Sequence, residues 1–350
     1  MAEAFAEESV TVAADRARAV CAGVLAALGA PEAVAAGHAG LLVEADLRGR
    51  PSHGLQRLPV LVDRIKAGLI VPDAVPETTW VTPSFLRVDG RDGLGSVAMR
   101  TAGEALGEAC EGTGLAVAAI SNSGHVGMLA PYLEAICARG QIAIALTTSE
   151  ALVHPAGGRT ALVGTNPIGV GIPAEPDPFV LDMSTAAISA GEIIARGQRG
   201  EELPPGCAVD ADGVPTTDPA RALEGAISPF GGAKGYGLGL ALELLVASLS
   251  RSALGTDVLG TLDTEHRTTK GDLLIVIDPA ALSLPDPVAY LGGYLEELRQ
   301  APTAPGVERV LVPGDRMRAE RELRLRDGIA YPAALWERLE GISANLGTEA

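Results

Sequence analysis

Arg48-Gly49-Arg50-Pro51-Ser52-His53-Gly54-Leu55-Gln56-Arg57 sets three guanidinium groups, a hydroxyl and an imidazole within ten residues. Alanine-rich helix patterns lead into this stretch. The first covers residues 9–29, with Ser9 as cap and Gly29 as stop, and Pro31 opens a second that runs to about Leu47. An amphipathic segment, Leu58 to Ala67, leaves it and ends at Gly68. Polar chemistry held at such a corner suits a small anion. Arginine pairs a carboxylate through two parallel hydrogen bonds, and histidine passes a proton near neutral pH. A structural reading of the same residues makes Arg48 and Arg57 solvated helix-end charges and Ser52 a plain N-cap, so the rest of the chain has to decide.

After a proline-punctuated linker at 70–83, the pattern turns to strands alternating with helices. Phe85–Asp89 is a strand; Gly93-Leu94-Gly95-Ser96-Val97-Ala98 follows and opens a helix to about Glu111. That run has the outline of a dinucleotide fingerprint. The next strand, Leu115–Ile120, ends in Ser121-Asn122-Ser123, where the fingerprint needs an acid, so a Rossmann fold is disfavoured. Ser123-Gly124-His125-Val126-Gly127 then leads to a helix (128–138) and a strand (141–147), an α/β and parallel pattern in which ligands sit at the carboxyl ends of strands. His125 stands on such a loop, between glycines that admit a ligand to the backbone. Phe179–Leu181 delivers Asp182-Met183-Ser184-Thr185, an acid able to hold a histidine or a ribose, or equally a helix N-cap. Residues 196–219 read as a polar loop, in which Asp210–Gly213 is a turn and not a calcium loop. Gly231-Gly232-Ala233-Lys234-Gly235 starts a long helix to Ser250 and offers a phosphate one cation beside bare backbone. Further on come a strand at 273–278, a helix at 288–300, a strand at 307–312 ending in Pro313-Gly314-Asp315, a basic run at 316–326 and a last helix at 333–346.

Composition limits the partners. The 350 residues carry a formal net charge of -17, which repels nucleic acid and anionic membrane. An anionic substrate therefore needs a local basic pocket. Cys21, Cys110, Cys137 and Cys207 are far apart, so neither a disulfide framework nor a zinc site is expected, and no metal is called for. The acidic MAEAFAEESV start has no leader pattern and no run is apolar enough for a membrane span, which points to a cytoplasmic protein.

Taken together and in order, these motifs resemble the type-2 malate/L-lactate dehydrogenase family. The matching pieces are Ser52-His53-Gly54 with Arg48 and Arg57, Gly124–Gly127, Gly164-Thr165-Asn166-Pro167, Leu181–Ser184, Gly213–Asp218, Lys234–Gly237 and Val312–Gly314, spread over roughly residues 5–340. The resemblance implies a helical N-terminal region (1–75) packed with C-terminal elements (280–350) on a non-Rossmann α/β cofactor domain (76–279), a homodimer, and NAD or NADP as cofactor. It implies hydride transfer on a small 2-hydroxy or 2-oxo acid, or on a cyclic imine carboxylate; a non-catalytic descendant is the alternative. By the same resemblance His53 and His125 are the acid–base candidates, with Ser52 and Asp182 in support. Arg48, Arg57 and Thr148 hold the substrate. His125, Gly127, Ser149, Asp182, Met183, Ser184, Lys234, Gly235, Pro313, Gly314 and Asp315 contact the cofactor. The family often has an aromatic residue after the corner; Val60-Leu61-Val62 stands there instead, so the substrate is left open.

Overall fold

The computed structural model describes residues 8–261 and 263–348. The acidic start, residues 1–7, lies outside the described residues. The N-terminal elements are β1 (Ser9–Val12), α1 (Ala14–Ala27), α2 (Glu32–Leu47) and α3 (Leu58–Lys66). Residues from Ser9 were expected to be helical. They form a strand because β13 (Ile329–Pro332), 320 residues away, supplies an antiparallel partner. Between α2 and α3 the corner folds as two short 3-10 turns, Pro51–His53 and Leu55–Arg57, meeting at Gly54. Only glycine fits there: the Asp46 carboxylate lies 1.8 Å from where a Cβ would stand. The apolar faces of α1, α2 and α3 close over Tyr331, Trp336 and Leu339, the last two from α11 (Ala333–Asn345), in one core.

The central elements are β2 (Glu77–Thr82), β3 (Phe85–Gly93), α4 (Gly95–Thr113), β4 (Leu115–Ser123), α5 (Ala130–Cys137), β5 (Ile142–Thr147), β6 (Ala151–Val153), β7 (Val163–Gly164), β8 (Ile168–Ile172) and β9 (Phe179–Met183). Then come α6 (Ala190–Arg199), β10 (Ala208–Val209), α7 (Pro219–Glu224), β11 (Ala226–Ile227), α8 (Ala233–Ser250), β12 (Asp272–Ile277), α9 (Val288–Arg299) and α10 (Asp315–Asp327). The stretch 196–219, read as loop, thus begins inside α6 and holds β10. Val307–Val312, read as a strand, belongs to none.

Seven strands form the main sheet in the order β2-β3-β4-β12-β5-β8-β9. Among the described residues of this sheet only β3 and β4 pair in parallel. β4 and β5 run in the same direction, as expected, but they are not neighbours, because β12 inserts antiparallel between them. A smaller sheet runs β10-β11-β6-β7. Alanine, leucine and isoleucine from α4, α5 and the strands fill one face of the main sheet. On the other, Leu242 and Val246 of α8 pack on Ala119, Leu146 and Leu273. Because β12 runs against its neighbours, its start lies beside the carboxyl ends of β4 and β5: Asp272 pairs with Ile120 and Thr147. That edge of the sheet faces the Arg48–Arg57 corner.

Candidate active site

A cleft of about 640 Å³ opens along this edge. The corner contributes Ser52, His53 and Arg57; the loop after β4 contributes His125 and Gly127. Thr148 and Ser149 arrive from the end of β5, Ser184 from the end of β9 and Lys270 from the chain before β12. Residues up to 218 positions apart thus share one cavity because strand ends of both directions converge there.

The two imidazoles stand with ring centroids 5.3 Å apart and planes tilted by 31°. His53 Nδ1 is 3.0 Å from Ser52 Oγ. His125 Nδ1 accepts the Gly127 amide at 3.2 Å, so the neutral ring carries its proton on Nε2. Gly127 can turn its amide inward because its φ is +77°, a conformation glycine tolerates. Burial, then the Arg57 and Arg50 charges, push His53 down to about 4. Burial, Arg57, His53, Lys270 and His38 hold His125 well below the ordinary histidine range. Both rings are therefore neutral at physiological pH when the cleft holds only protein.

The arginines divide. Arg57 Nε donates to the Ser52 carbonyl at 2.8 Å, and its Nη1 reaches the Thr261 carbonyl at 3.5 Å. Neither partner carries charge, although Glu150 exerts a favourable field on it. Arg48, expected to share the clamp, is turned away. Its two terminal nitrogens meet Glu134 at 2.5 and 2.6 Å, its Nε meets Glu44 at 2.7 Å, and it lines a different cavity. With two carboxylates on it, Arg48 ties α2 to α5.

Asp182 is also repositioned. Among the described residues its side-chain hydrogen bonds go to the Leu129 and Ala130 amides at 2.8 and 2.9 Å, at the start of α5, and not to a histidine. The N-cap role open to it in the sequence was for a helix beginning at its own position; the next helix, α6, starts at Ala190 with Ser189 as its cap, and Asp182 instead serves the start of the distant α5. Burial raises its carboxyl pKa against those bonds. Thr148 Oγ1 accepts the Gly271 amide at 3.0 Å and fixes the end of β5 to the approach to β12. Ser149 Oγ accepts the Thr165 amide at 2.8 Å, and Ser184 Oγ donates to the Thr165 carbonyl at 3.1 Å, so both rims rest on Thr165. Met183 is half-buried at the end of β9.

Lys234 is exposed in the first turn of α8. Gly232 caps that helix with φ +65° and no side-chain cap, and Gly231 and Gly232 have open space beside them. Bare amides, the positive end of an 18-residue helix and one lysine fit a cofactor phosphate. Gly235 serves packing, since a Cβ there would strike the Phe230 carbonyl. Pro313 and Gly314 lead into α10, where Asp315 binds Arg299 at 2.9 and 3.0 Å and Arg318 at 2.8 Å. The partners named for Asp315 hold its carboxyl down near 2, despite burial, and make it a joint between α9 and α10.

The sequence reading missed Lys270. It is almost wholly buried, and its Nζ lies 2.6 Å from both Asp272 oxygens. A lysine and an aspartate one glycine apart carry no signal of burial, because the cleft that gives them meaning is built from other strands.

The profile of the malate/L-lactate dehydrogenase family matches residues 12–340. The chain belongs to that family. The L-sulfolactate dehydrogenase of Methanocaldococcus jannaschii is 38% identical over 93% of this chain and 94% of its own. The Delta(1)-pyrroline-2-carboxylate reductase of Ancylobacter novellus is 35% identical over 96% and 98%. A dehydrogenase structure from Sinorhizobium meliloti superimposes with a TM-score of 0.92 at 48% identity, covering 96% of this chain and 98% of that one. As a member of this family the chain is an oxidoreductase.

Proposed function

We propose that this oxidoreductase moves a hydride between a nicotinamide and the carbon beside a carboxylate, on a small 2-hydroxy/2-oxo acid of the malate, lactate or sulfolactate type. The observation that carries the reading is Arg57, a largely buried guanidinium whose hydrogen bonds go to carbonyls, next to two neutral imidazoles. NAD or NADP is the cofactor and, when bound, supplies the hydride acceptor or donor. Ser184 and Ser149 line the cleft that would hold its nicotinamide end, and Lys234 with the first turn of α8 would hold a phosphate.

In the oxidising direction the alcohol proton needs a base. His53 keeps Nδ1 on Ser52 and, with Ser52 accepting, offers Nε2 as a lone pair. His125, whose Nε2 carries hydrogen, donates to the substrate oxygen and polarises it. In the reducing direction His53 must carry a proton, which burial opposes most, and Arg57 and Arg50 oppose as well. A carboxylate seated on Arg57 offsets the Arg57 part of that opposition, so the anionic substrate helps to arm its own acid. The enzyme as a whole repels anions, and Arg57, whose hydrogen bonds go to carbonyls, supplies local attraction.

A second reading is reduction of a cyclic imine carboxylate, which the 35% identical pyrroline-2-carboxylate reductase favours. Both substrates put a carboxylate next to the reacting carbon. We also infer a homodimer. The outer face of α8 presents Leu238, Ala241, Leu244, Leu245, Ser248 and Leu249 without a charge, its four leucines 38–48% exposed. A second copy of the same face would cover it, as in obligate interfaces. Four buried free cysteines suit the reducing cytoplasm, and among the described residues no helix is long and apolar enough to cross a membrane.

The test is loss of reduced-nicotinamide absorbance with NADH and NADPH against a panel of 2-oxo acids and cyclic imines. Turnover of the oxo acids supports the leading reading, and turnover of the imines alone replaces it with the second. Binding of NADH or NADPH with no turnover in either series rejects both and leaves a non-catalytic descendant.

A further inference from the structure

Beside the catalytic cleft lies a smaller cavity of about 40 Å³. It shares Arg57, Val60 and His125 with the cleft, so the two spaces adjoin at the groups that take the substrate's carboxylate and oxygen in the activity proposed above. The reacting carbon of a 2-oxo acid carries three groups. With the carboxylate on Arg57 and the oxygen at the imidazoles, the third is the one left to enter the smaller space. A water fills about 30 Å³ of liquid, so this is room for about one or two carbon atoms.

The walls are apolar. Leu42, Leu61, Ile70 and Leu94 line the cavity, and all four are buried. Two buried polar side chains also reach it, and the protein engages both. His38 Nδ1 lies 2.7 Å from Ser96 Oγ, and burial, then the Arg100 charge, push its ring down to about 4, so it is neutral at physiological pH. Arg64 commits both terminal nitrogens to the chain that closes the site. Its Nη1 donates to the Asp263 and His266 carbonyls at 2.6 and 3.1 Å, and its Nη2 to the Thr268 hydroxyl at 3.2 Å. The carboxylates of Asp263 and Glu150 also act on its charge.

The charges of the cleft point the same way. Lys270 is closed off by Asp272 at 2.6 Å. Arg57 is then the guanidinium left for a carboxylate. Glu150 lines the cleft with negative charge, and its Oε1 is held there by the Thr261 amide at 2.7 Å and hydroxyl at 3.0 Å. A second anionic group on the substrate would meet that carboxylate and the apolar walls. Taking a charge out of water without a partner is costly.

We propose that the smaller cavity is the substrate's side-chain pocket, and that it makes the enzyme select 2-oxo acids bearing a short uncharged group, methyl or ethyl, over those bearing a second carboxylate or a sulfonate. This rests on the hydride transfer proposed above and narrows its substrate. Val60, half-buried and shared by both spaces, sets the pocket's size. A larger side chain there fills the pocket, and a smaller one extends it.

The experiment is steady-state reduction of glyoxylate, pyruvate, 2-oxobutanoate, 2-oxopentanoate, oxaloacetate and 3-sulfopyruvate at saturating reduced cofactor, for wild type, Val60→Phe and Val60→Ala. In wild type, kcat/KM should rise about four-fold from pyruvate to 2-oxobutanoate, as burial of one methylene predicts, and fall at 2-oxopentanoate, which overfills the space. It should be at least about ten-fold lower for the two dianions than for 2-oxobutanoate. That preference should persist in high salt, which screens the net charge of the whole chain. Relative to glyoxylate, which has no side chain, 2-oxobutanoate should lose about ten-fold in Val60→Phe. Val60→Ala should move the optimum to 2-oxopentanoate. Either variant alone decides if the other fails to fold. Dianions turned over as well as 2-oxobutanoate, or a preference that vanishes in high salt, would overturn the pocket and leave the activity standing. Substrate order unmoved by the Val60 changes would overturn it too. Turnover of none of the 2-oxo acids overturns the activity itself, and the pocket with it.

Discussion

The corner between α2 and α3 has a side turned to the fold and a side turned to the cleft, and the two treat the same residue types in opposite ways. On the fold side Arg48 is saturated by Glu134 and Glu44, and Asp46 takes the Leu55 amide at 2.8 Å and the Tyr331 hydroxyl at 2.9 Å. On the cleft side Arg57 has carbonyls only, and His53 has Ser52. Buried groups that are fully paired give rigidity. Groups left short of partners hold a demand that a ligand can meet. A catalytic corner needs both: a side that cannot move, and a side that is unfinished.

The largest expected effect falls on the unfinished side. His53→Ala should fold, bind NADH or NADPH as wild type does, and lose about a hundred- to ten-thousand-fold in turnover. His125→Ala removes a donor and should lose less. Steady-state kinetics on both variants decide the matter, and a smaller loss in His53→Ala than in His125→Ala exchanges their roles. The pH profile adds a second check. Oxidation needs neutral His53, so its kcat/KM should be level from about pH 5 upward, because the free-enzyme pKa sits near 4. Reduction takes up a proton and should slow as pH rises.

Next in size is the contrast between the arginines. Arg57→Lys keeps the charge and loses the planar fork. It should raise KM for 2-oxo acids about ten- to a hundred-fold at saturating cofactor. Arg48→Met should leave KM alone and lower the melting temperature, since it strands Glu134 and leaves Glu44 with Arg321 alone; breaking a buried pair costs about 3–5 kcal/mol. An Arg48→Met protein with normal melting and raised KM would reverse the assignment of the two sides. Lys234→Ala comes after these: an exposed lysine at a helix start should weaken NADH or NADPH binding by about ten-fold or less and leave melting unchanged. Equal dissociation constants for wild type and variant would return Lys234 to the surface.

Sequence alone made the corner, the long helices and most strands legible, because helix stops at Gly29 and Gly68 and the turn at Gly124–Gly127 are written locally. It could not tell Arg48 from Arg57. One carboxylate on Arg48, Glu44, stands four residues before it and is local, but the pair that turns its two terminal nitrogens away is with Glu134, 86 positions on, and only the packing of α5 on the corner brings it there. Asp182 was legible as an acid at a strand end, but its partners are the amides of Leu129 and Ala130, which any sequence supplies. The order of the main sheet was hidden for the same reason. β4, α5 and β5 look like a parallel unit until β12, 125 residues after β5 ends, pushes between them. β1 became a strand only through β13.

The smallest expected effect tests the rigid side. Asp46 is 2% exposed, and burial raises its carboxyl to about 7 against the bonds from Leu55 and Tyr331 and the charge of Arg324. The folded protein therefore holds this proton to a higher pH than the unfolded chain, whose aspartates titrate near about 3.9. The stabilisation from that proton is complete below the unfolded pKa and is lost as pH rises through about 7. Asp46→Asn removes the titration. Its amide oxygen can still accept the Leu55 amide and the Tyr331 hydroxyl, and it is close enough in shape to seat against Gly54. Wild type should lose melting temperature between about pH 4 and 7, and Asp46→Asn should lose less, by on the order of a few degrees across that interval. KM and kcat at neutral pH should stay close to wild type, because His53 is presented by the same closed turn. Parallel melting curves would show that Asp46 is ionised throughout. A large fall in kcat with flat melting would show that the fold-facing side also takes part in the chemistry, and the division of the corner would no longer hold.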